Sequence, residues 1–221
     1  DKRHPYQAMQ LNIGNADASN ARSLTSSFDF SIDAISWDGS RGLWLQFDDH
    51  GRGCLGWIAA SGGAVKRVTC ELGGTEIGRP YSGGSFSSVA DRLAFTSGTT
   101  SSPPNLAVLA GNGKPRMLTD LDANLLDHIT LGKVEEITVK SSADGRDIQA
   151  WVVTPPGFDP AKKYPLLLEI HGGPFAAYGP WFAPEIQLYA AAGYVVVYAN
   201  PRGSTSYGTE FANLIENAYP G

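Results

Sequence analysis

The sequence predicts a multidomain β plus α/β protein, in which repeated β-hairpins are followed by the first strands of a parallel sheet. Three observations predict it. The 221 residues include 26 glycines and 14 prolines, a turn-rich composition typical of many short strands. In the first half, strand-and-turn patterns recur fifty positions apart, so that Leu43 and Leu93 hold equivalent places. In the second half, an apolar run, a helix pattern and another apolar run follow one another.

The first half, residues 1–125, is predicted to form the C-terminal blades of a partial β-propeller. Four strands in roughly 45–50 residues is the period of one blade. Two such units are present, and the end of a third precedes them. The strands are predicted at 35–37, 43–47, 54–60 and 64–70, and again at 85–87, 92–96, 106–109 and 116–119. A β-sandwich with coincidental spacing is the alternative. In either case, part of the packing surface lies outside this sequence.

Within the first unit, the two cysteines are expected to face each other. If the turn between their strands is centred on Gly62, Cys54 lies opposite Cys70, close enough for a disulfide. Two buried thiols are the alternative. A bond implies an oxidising compartment, periplasmic or secreted, whereas free thiols leave a cytoplasmic location open. No further Cys or His lies at ligand spacing, so no metal site is predicted.

The second half, residues 126–221, is predicted to be the N-terminal part of an α/β domain. It opens with a hairpin that turns at Asp144-Gly145. The apolar runs 164–170 and 194–199 are typical of strands buried on both faces. The helix between them begins at Pro184 and ends just before Gly193. Strand, helix and strand in this order form the crossover unit of a parallel sheet.

The candidate site follows the first of these buried strands. His171-Gly172-Gly173-Pro174 stands at the carboxyl end of the strand, where open α/β sheets bind their ligands. Two glycines let backbone N–H groups approach a substrate oxygen, as an oxyanion hole requires. A plain strand-to-loop turn is the alternative. The nearby histidine, His171, is expected to be structural.

Other candidate substrate contacts lie in the same region. Arg202 follows the second buried strand and is expected to hold a substrate carboxylate or carbonyl, or else to pair with a carboxylate of its own domain. Phe175 and Tyr178 are candidate substrate-binding residues, and Trp181 and Phe182 are close in sequence. For these aromatic residues, packing in the core or at a domain interface is the alternative.

Composition narrows the possible partners. Hydrophobic residues make up 42% of the chain and charged residues 18%, which supports a packed core. The net charge is −5 and no Lys/Arg cluster is present, so nucleic acid is not expected as a partner. The longest nearly unbroken apolar stretch, 189–199, is too short to span a bilayer, so no membrane partner is expected.

Several motifs of the second half occur together in a known family. They are His171-Gly172-Gly173-Pro174, Ala191-Ala192-Gly193-Tyr194 and Asn200-Pro201-Arg202-Gly203-Ser204, with Tyr207-Gly208 and Phe211. Through these motifs the sequence resembles the prolyl oligopeptidase family (S9) of serine peptidases. The resemblance is strongest to the acylaminoacyl-peptidase and dipeptidyl-aminopeptidase-like branch of that family. The resemblance is specific over residues 131–221 and only architectural over residues 1–120.

The resemblance implies a propeller followed by an α/β-hydrolase domain. It implies hydrolysis of short peptides by a Ser-His-Asp triad, without a cofactor, in a protein that can be a homo-oligomer. It also implies that the backbone N–H of Gly173 is one oxyanion donor, with Gly172 beside it. A carboxylesterase-type hydrolase and a non-catalytic, peptide-binding propeller module are the alternatives.

The sequence departs from the family in one respect. The nucleophile of such enzymes lies in a Gly-x-Ser-x-Gly turn, and these 221 residues contain none. No leader peptide is evident in the opening residues Asp1-Lys2-Arg3-His4-Pro5. We therefore expect an internal piece of a longer enzyme, cut at both ends, inactive alone and packed against the remainder of the same protein.

Overall fold

A computed structural model describes residues 6–39, 41–74, 76, 78–111 and 113–218. Both chain ends, and the predicted turn residue Asn112, lie outside these residues. The described chain is mostly β-sheet, with α/β elements in its C-terminal part.

The N-terminal part contains two four-stranded antiparallel sheets in which consecutive strands are neighbours. A two-stranded ribbon precedes them, formed by β1 (Asn12–Ile13) and β2 (Arg22–Ser23). The first sheet comprises β3 (Ala34–Asp38), β4 (Gly42–Asp49), β5 (Arg52–Ala59) and β6 (Lys66–Leu72). The second comprises β7 (Phe86–Val89), β8 (Arg92–Ser97), β9 (Asn105–Ala110) and β10 (Arg116–Met117). Leu43 and Leu93 are the second residues of the equivalent strands β4 and β8 and are both buried, as the fifty-residue spacing predicts.

The first sheet is covered on both faces. On one face, the N-terminal segment contributes Leu11, Leu24 and Ile32 to a core with side chains of β4 and β5. On the other face, side chains of β4 to β6 pack against the second sheet. That second cluster contains Trp44, Leu55, Leu72, Leu93, Phe95, Ala107 and Leu109. Burial on both faces explains why β4 is apolar along most of its length rather than alternating.

The turn between β4 and β5 is tighter than the sequence indicates. The pattern predicts a loop over residues 48–53, but the strands extend into it and only His50 and Gly51 remain. Both residues have positive φ, +50° and +71°, as a two-residue hairpin turn of type I′ requires. The predicted loop is therefore wrong, because residues 48–53 contain no Asn-Gly or Asp-Gly pair to indicate so short a turn.

Cys54 and Cys70 are joined by a disulfide between β5 and β6. The neighbouring pair Leu55 and Thr69 has the register that the Gly62-centred turn predicts, and a bulge shifts the pairing on either side. Closing a loop with a sequence separation of 16 stabilises a fold by about 3 kcal/mol. The compartment in which the protein folds stays a prediction.

The C-terminal part is a mixed sheet with short helices. Strands β11 (Lys133–Lys140) and β12 (Asp147–Thr154) form the predicted hairpin after helix α1 (Ala123–Leu126). Then follow β13 (Leu166–Glu169), α2 (Pro184–Ala191), β14 (Val195–Ala199), α3 (Thr209–Ala212) and a 3₁₀ turn at Asn213–Ile215. The strand order is β11-β12-β14-β13, and only β13 and β14 pair in parallel, as the crossover unit predicts.

Burial of the two parallel strands differs from the prediction. Leu166, Leu168 and Ile170 are 63%, 61% and 66% exposed, so one face of β13 is open. The opposite face of the sheet packs on α2 through residues such as Val196 and Ile186. The prediction of burial on both faces is wrong for the described chain, because β13 is an edge strand and α2 covers only one side. No helix among the described residues has the length and apolar character needed to cross a bilayer.

Close backbone packing joins the two parts of the chain. A Cβ atom added at Gly51 would lie 2.2 Å from the carbonyl oxygen of Tyr178, and one at Gly179 would lie 1.9 Å from the carbonyl oxygen of Gly51. The indole N–H of Trp181 donates to the same Gly51 oxygen at 3.0 Å. The turn between β4 and β5 therefore docks on the segment that follows the candidate site.

This packing predicts that Gly51→Ala destabilises the full-length protein more than Gly145→Ala does. The two glycines have nearly the same φ, +71° and +72°, so both substitutions carry a similar backbone strain of about 1–3 kcal/mol. A Cβ at Gly145 meets nothing within 4 Å, whereas at Gly51 it adds an overpacking cost of about 1–3 kcal/mol. Thermal unfolding of both variants measures the difference. Equal losses of stability would contradict the docking contact.

Candidate functional site

A cavity of about 600 Å³ opens at the carboxyl ends of β13 and β14. One wall is formed by residues 170–174, which follow β13, and another by Pro201, Arg202 and Ser204, which follow β14. The tip of the β11–β12 hairpin and the C-terminal residues complete the lining, with Ser141, Ser142, Ile148, Leu214, Ile215 and Ala218. The structure therefore brings the two predicted loops together around one cavity.

The backbone of Gly172 and Gly173 is accessible at this cavity. A Cβ at Gly172 would meet nothing within 4 Å, and Gly173 has a φ of +139°. Within the described part of the chain, neither glycine amide donates a hydrogen bond. An N–H group that lacks a protein acceptor and borders a cavity is available to a ligand oxygen.

His171 fixes the orientation of this glycine backbone. Its Nδ1 lies 2.9 Å from the carbonyl oxygen of Gly172, and because a carbonyl only accepts, Nδ1 donates. The carbonyl of Gly172 and the N–H of Gly173 belong to the same planar peptide group. Holding the carbonyl therefore also sets the direction in which the Gly173 N–H points. The sequence predicts a structural histidine here, and in the structure His171 holds the Gly172 carbonyl.

Ser204 supports His171 from the second loop, a contact that the sequence does not indicate. Its Oγ lies 3.1 Å from Nε2 of His171 and 2.7 Å from the carbonyl oxygen of Pro201. Ser204 is only 1% exposed. The contact between Ser204 and His171 therefore links the loop after β14 to the loop after β13.

Asn200 anchors the second loop in the interior. Its Oδ1 accepts from the amide of Tyr178 at 2.7 Å, and its Nδ2 donates to the Tyr178 carbonyl at 2.8 Å. The same Nδ2 lies 2.6 Å from the hydroxyl of Tyr207, which donates to Gln149 at 2.5 Å. Burial raises the pKa of the Tyr207 phenol, so it stays a neutral donor. This network ties the loop to the hairpin strand β12 and to the segment around Tyr178.

Tyr178 does not line the cavity. It is 0% exposed, its hydroxyl donates to Glu169 at 3.1 Å, and its ring packs on Tyr81 and His171. The expectation that it contacts substrate is therefore corrected, and the alternative of core packing holds. Trp181 is also buried, and its indole N–H donates to Gly51 in the N-terminal part of the chain. The aromatic pattern alone could not separate these two roles, because both need large apolar side chains close to the site.

Phe175 lies on the other side of the site loops. Its ring packs on Tyr6, with 5.3 Å between centroids, and it lines a second cavity of about 240 Å³. Asp48 lies in that cavity with one buried carboxyl oxygen that has no partner among the described residues, and burial raises its pKa to about 6. Phe175 is absent from the lining of the first cavity. Its contact with a substrate stays a prediction.

Arg202 pairs with a carboxylate of its own domain, and its contact with a substrate stays a prediction. It lines the cavity beside the glycines, and its Nε lies 3.3 Å from Oδ2 of Asp144. The N–H at Nε makes no hydrogen bond in the described structure, because the carboxylate lies near it but outside its direction. Arg202 is therefore charge-compensated by its own domain while its donors remain available. The described residues contain no cluster of three or more His, Cys, Asp or Glu with metal-binding geometry.

Known proteins are similar to this chain in sequence and in fold. The sequence pattern of the prolyl oligopeptidase family matches residues 180–221. The uncharacterized peptidase YuxL of Bacillus subtilis (strain 168) is 36% identical over 139 residues, which are 62% of this chain and 21% of that protein. A probable dipeptidyl-peptidase 5 of Emericella nidulans is 32% identical over 208 residues, which are 90% of this chain and 28% of that protein. The chain thus spans less than a third of the length of either relative.

Two solved structures of acylaminoacyl peptidases have a similar fold. The uncomplexed enzyme of Pyrococcus horikoshii superposes with a TM-score of 0.73 at 23% identity, over 92% of this chain and 30% of that one. An acylaminoacyl peptidase in complex with Z-Gly-Gly-Phe-chloromethyl ketone gives a TM-score of 0.72 at 23% identity, over 88% of this chain and 29% of that one. At these identities the similarity shows a shared fold.

The Asn200 network predicts that Asn200→Ala destabilises the full-length protein. It leaves the buried N–H and C=O of Tyr178 unpaired, at a cost of about 1–3 kcal/mol for each group. Asn12→Ala is the matched control, because Asn12 is exposed and should change stability by no more than about 0.5 kcal/mol. Thermal unfolding provides the comparison. Equal stability of the two variants would show that Asn200 does not anchor the loop.

Proposed function

Because this chain belongs to the prolyl oligopeptidase family (S9) of peptidases, we propose that it is part of a serine peptidase that hydrolyses short peptides. Its relatives are of the dipeptidyl-peptidase and acylaminoacyl-peptidase types. The activity belongs to the whole protein, of which this chain supplies one wall of the active site.

The oxyanion donor in this proposal is the backbone N–H of Gly173, with Gly172 giving open access beside it. The observation that carries the proposal is the hydrogen bond from His171 to the Gly172 carbonyl, which fixes the same peptide group. When a nucleophile attacks a peptide carbonyl, negative charge develops on the oxygen. A donor that is already oriented stabilises this charge without rearrangement. A chain of hydrogen bonds through the peptide also polarises the N–H and strengthens its donation.

The nucleophile and the rest of the triad lie outside this chain. The sequence contains no Gly-x-Ser-x-Gly turn, and Ser204 is buried and engaged. In the proposed mechanism, a serine from a later turn attacks the substrate carbonyl while a later histidine takes its proton. The chain alone is therefore proposed to be inactive.

The sheet topology supports two proposed domains. Residues 1–125 are proposed to be partial β-propeller blades, and residues 126–221 the N-terminal part of an α/β-hydrolase domain. Two four-stranded meanders that pack face to face support the first assignment, and the parallel β13–β14 crossover supports the second. The peptide-like inhibitor bound by one acylaminoacyl peptidase supports peptides as the substrate class. In this chain, Arg202 is the proposed substrate contact.

The test of this function uses the full-length protein and a fluorophosphonate probe. We expect covalent labelling of a serine after residue 221 and hydrolysis of dipeptidyl or acylaminoacyl arylamides. The separate chain 1–221 is expected to remain unlabelled. Labelling of a serine within residues 1–221, or no labelling of the full-length protein, would contradict the proposed function.

The hydrogen bond from His171 to the Gly172 carbonyl predicts a loss of activity when the imidazole is removed. In the full-length protein, His171→Ala should lower kcat by about 10²–10³, because the Gly173 N–H loses its fixed orientation. His128→Ala is the control, since His128 is exposed and its side chain makes no hydrogen bond in the described structure. Steady-state kinetics and thermal unfolding are measured together. A His171→Ala enzyme that is folded and as active as the control would remove this peptide from the mechanism.

A further inference from the structure

Four charged side chains meet where the β11–β12 hairpin borders the cavity. Oδ2 of Asp144 lies 3.2 Å from Nε of Arg146 and 3.3 Å from Nε of Arg202. Arg146 also reaches Glu210, with 2.6 Å between Nη2 and Oε1. The two arginines and two carboxylates sum to no net charge. Of the four, only Arg202 lines the cavity beside the glycines.

The carboxylate of Asp144 is held in place by its own turn. Its Oδ1 accepts from the amide of Arg146 at 3.2 Å, and the turn is closed by a bond from the Ser141 amide to the Arg146 carbonyl at 2.8 Å. Desolvation opposes ionisation of Asp144, but hydrogen bonds from Arg146 and Ser141 outweigh it and hold its pKa below the usual range. The carboxylate is therefore ionised at neutral pH and cannot swing away from Arg202 without breaking the turn.

Arg202 has unused hydrogen-bond capacity beside this fixed negative charge. Its Nε is buried close to Asp144, which compensates the charge. The side chain is 35% exposed, and neither Nη atom makes a hydrogen bond in the described structure, so these donors are open to a ligand at the cavity. Because the charge is already compensated, a neutral acceptor such as a peptide carbonyl suits this site. A carboxylate would meet repulsion from Asp144.

We propose that Asp144 is a specificity-determining residue, which neutralises Arg202 so that the cavity accepts a neutral carbonyl and discriminates against a carboxylate at the same place. The inference rests on the proposed function and deepens it, because it defines the substrate class by charge. Discrimination by a repulsive group next to an attractive one is a general route to specificity.

The experiment uses Asp144→Asn in the full-length protein. Asparagine keeps the oxygen that accepts from the Arg146 amide, so the turn is retained while the negative charge is lost. The substrates are peptide pairs that carry Gln or Glu at each position flanking the scissile bond. The ratio of kcat/KM for the Glu peptide to that for the Gln peptide should rise by about two- to fivefold at one position, the range for one partly exposed ion pair.

Glu210→Gln is the matched control. It removes the same charge from the same cluster, but Glu210 contacts Arg146 and not Arg202. Its Glu-to-Gln ratio should stay near that of the wild type. Arg202→Met combined with Asp144→Asn should abolish the change in ratio, because the uncompensated cation is then absent.

The outcomes separate the two proposals. If the wild type is active but Asp144→Asn has the same Glu-to-Gln ratio as the wild type at every position, this inference is overturned and the proposed function is left intact. An equal change in Glu210→Gln overturns it as well, since the effect would then be a general one of net charge. A full-length protein without hydrolytic activity overturns the proposed function, and the inference with it.

Discussion

The hydrogen bond from His171 to the carbonyl of Gly172 is the interaction on which the site depends. Glycine has no side chain to restrict it, so two consecutive glycines can adopt many backbone conformations. A single donor from a buried ring selects one of them. In the proposed function, the conformational freedom that admits a substrate oxygen is combined with the fixed orientation that an oxyanion donor needs. Ser204 contacts the ring at Nε2, and the carbonyl of Pro201 contacts the Ser204 hydroxyl.

The site is also held from the N-terminal sheets. The amide of Gly51 donates to Oγ of Ser206 at 2.7 Å, and the amide of His50 donates to the Ser206 carbonyl at 2.8 Å. Further along the chain, Asp29 accepts from the amide of Thr209 at 3.1 Å at the start of α3. The loop after β14 therefore lies between the C-terminal sheet and the β4–β5 turn of the first N-terminal sheet. A change in how the two parts pack would be transmitted to the residues around the cavity.

Local patterns predict much of this fold. Alternation of apolar and polar residues predicts the hairpins, because a strand places successive side chains on opposite faces. Pro184 and Gly193 mark the limits of α2, because the preference of Pro for the start of a helix and of Gly for the position after its end depends only on the adjacent helical turn. The short His50-Gly51 turn could not be predicted, because His-Gly is not one of the residue pairs typical of two-residue hairpin turns.

The site was predictable only in part. The position of the two glycines at a cavity could be predicted, because they follow a strand of the parallel pair and such strand ends border ligand sites. The support from Ser204 could not, since a serine after a glycine in a loop has no local pattern that indicates a distant partner. The burial of Tyr178 could not be predicted either, because closeness in sequence to a site does not show which way a side chain points.

The most direct measurement is a crystal structure of the full-length protein after reaction with a fluorophosphonate. The phosphonyl oxygen of the adduct occupies the place of the oxyanion. We expect it about 2.7–3.1 Å from the amide nitrogen of Gly173, with the His171 bond to the Gly172 carbonyl intact. An adduct whose oxygen is held by other donors, with the Gly173 N–H directed elsewhere, would contradict the account.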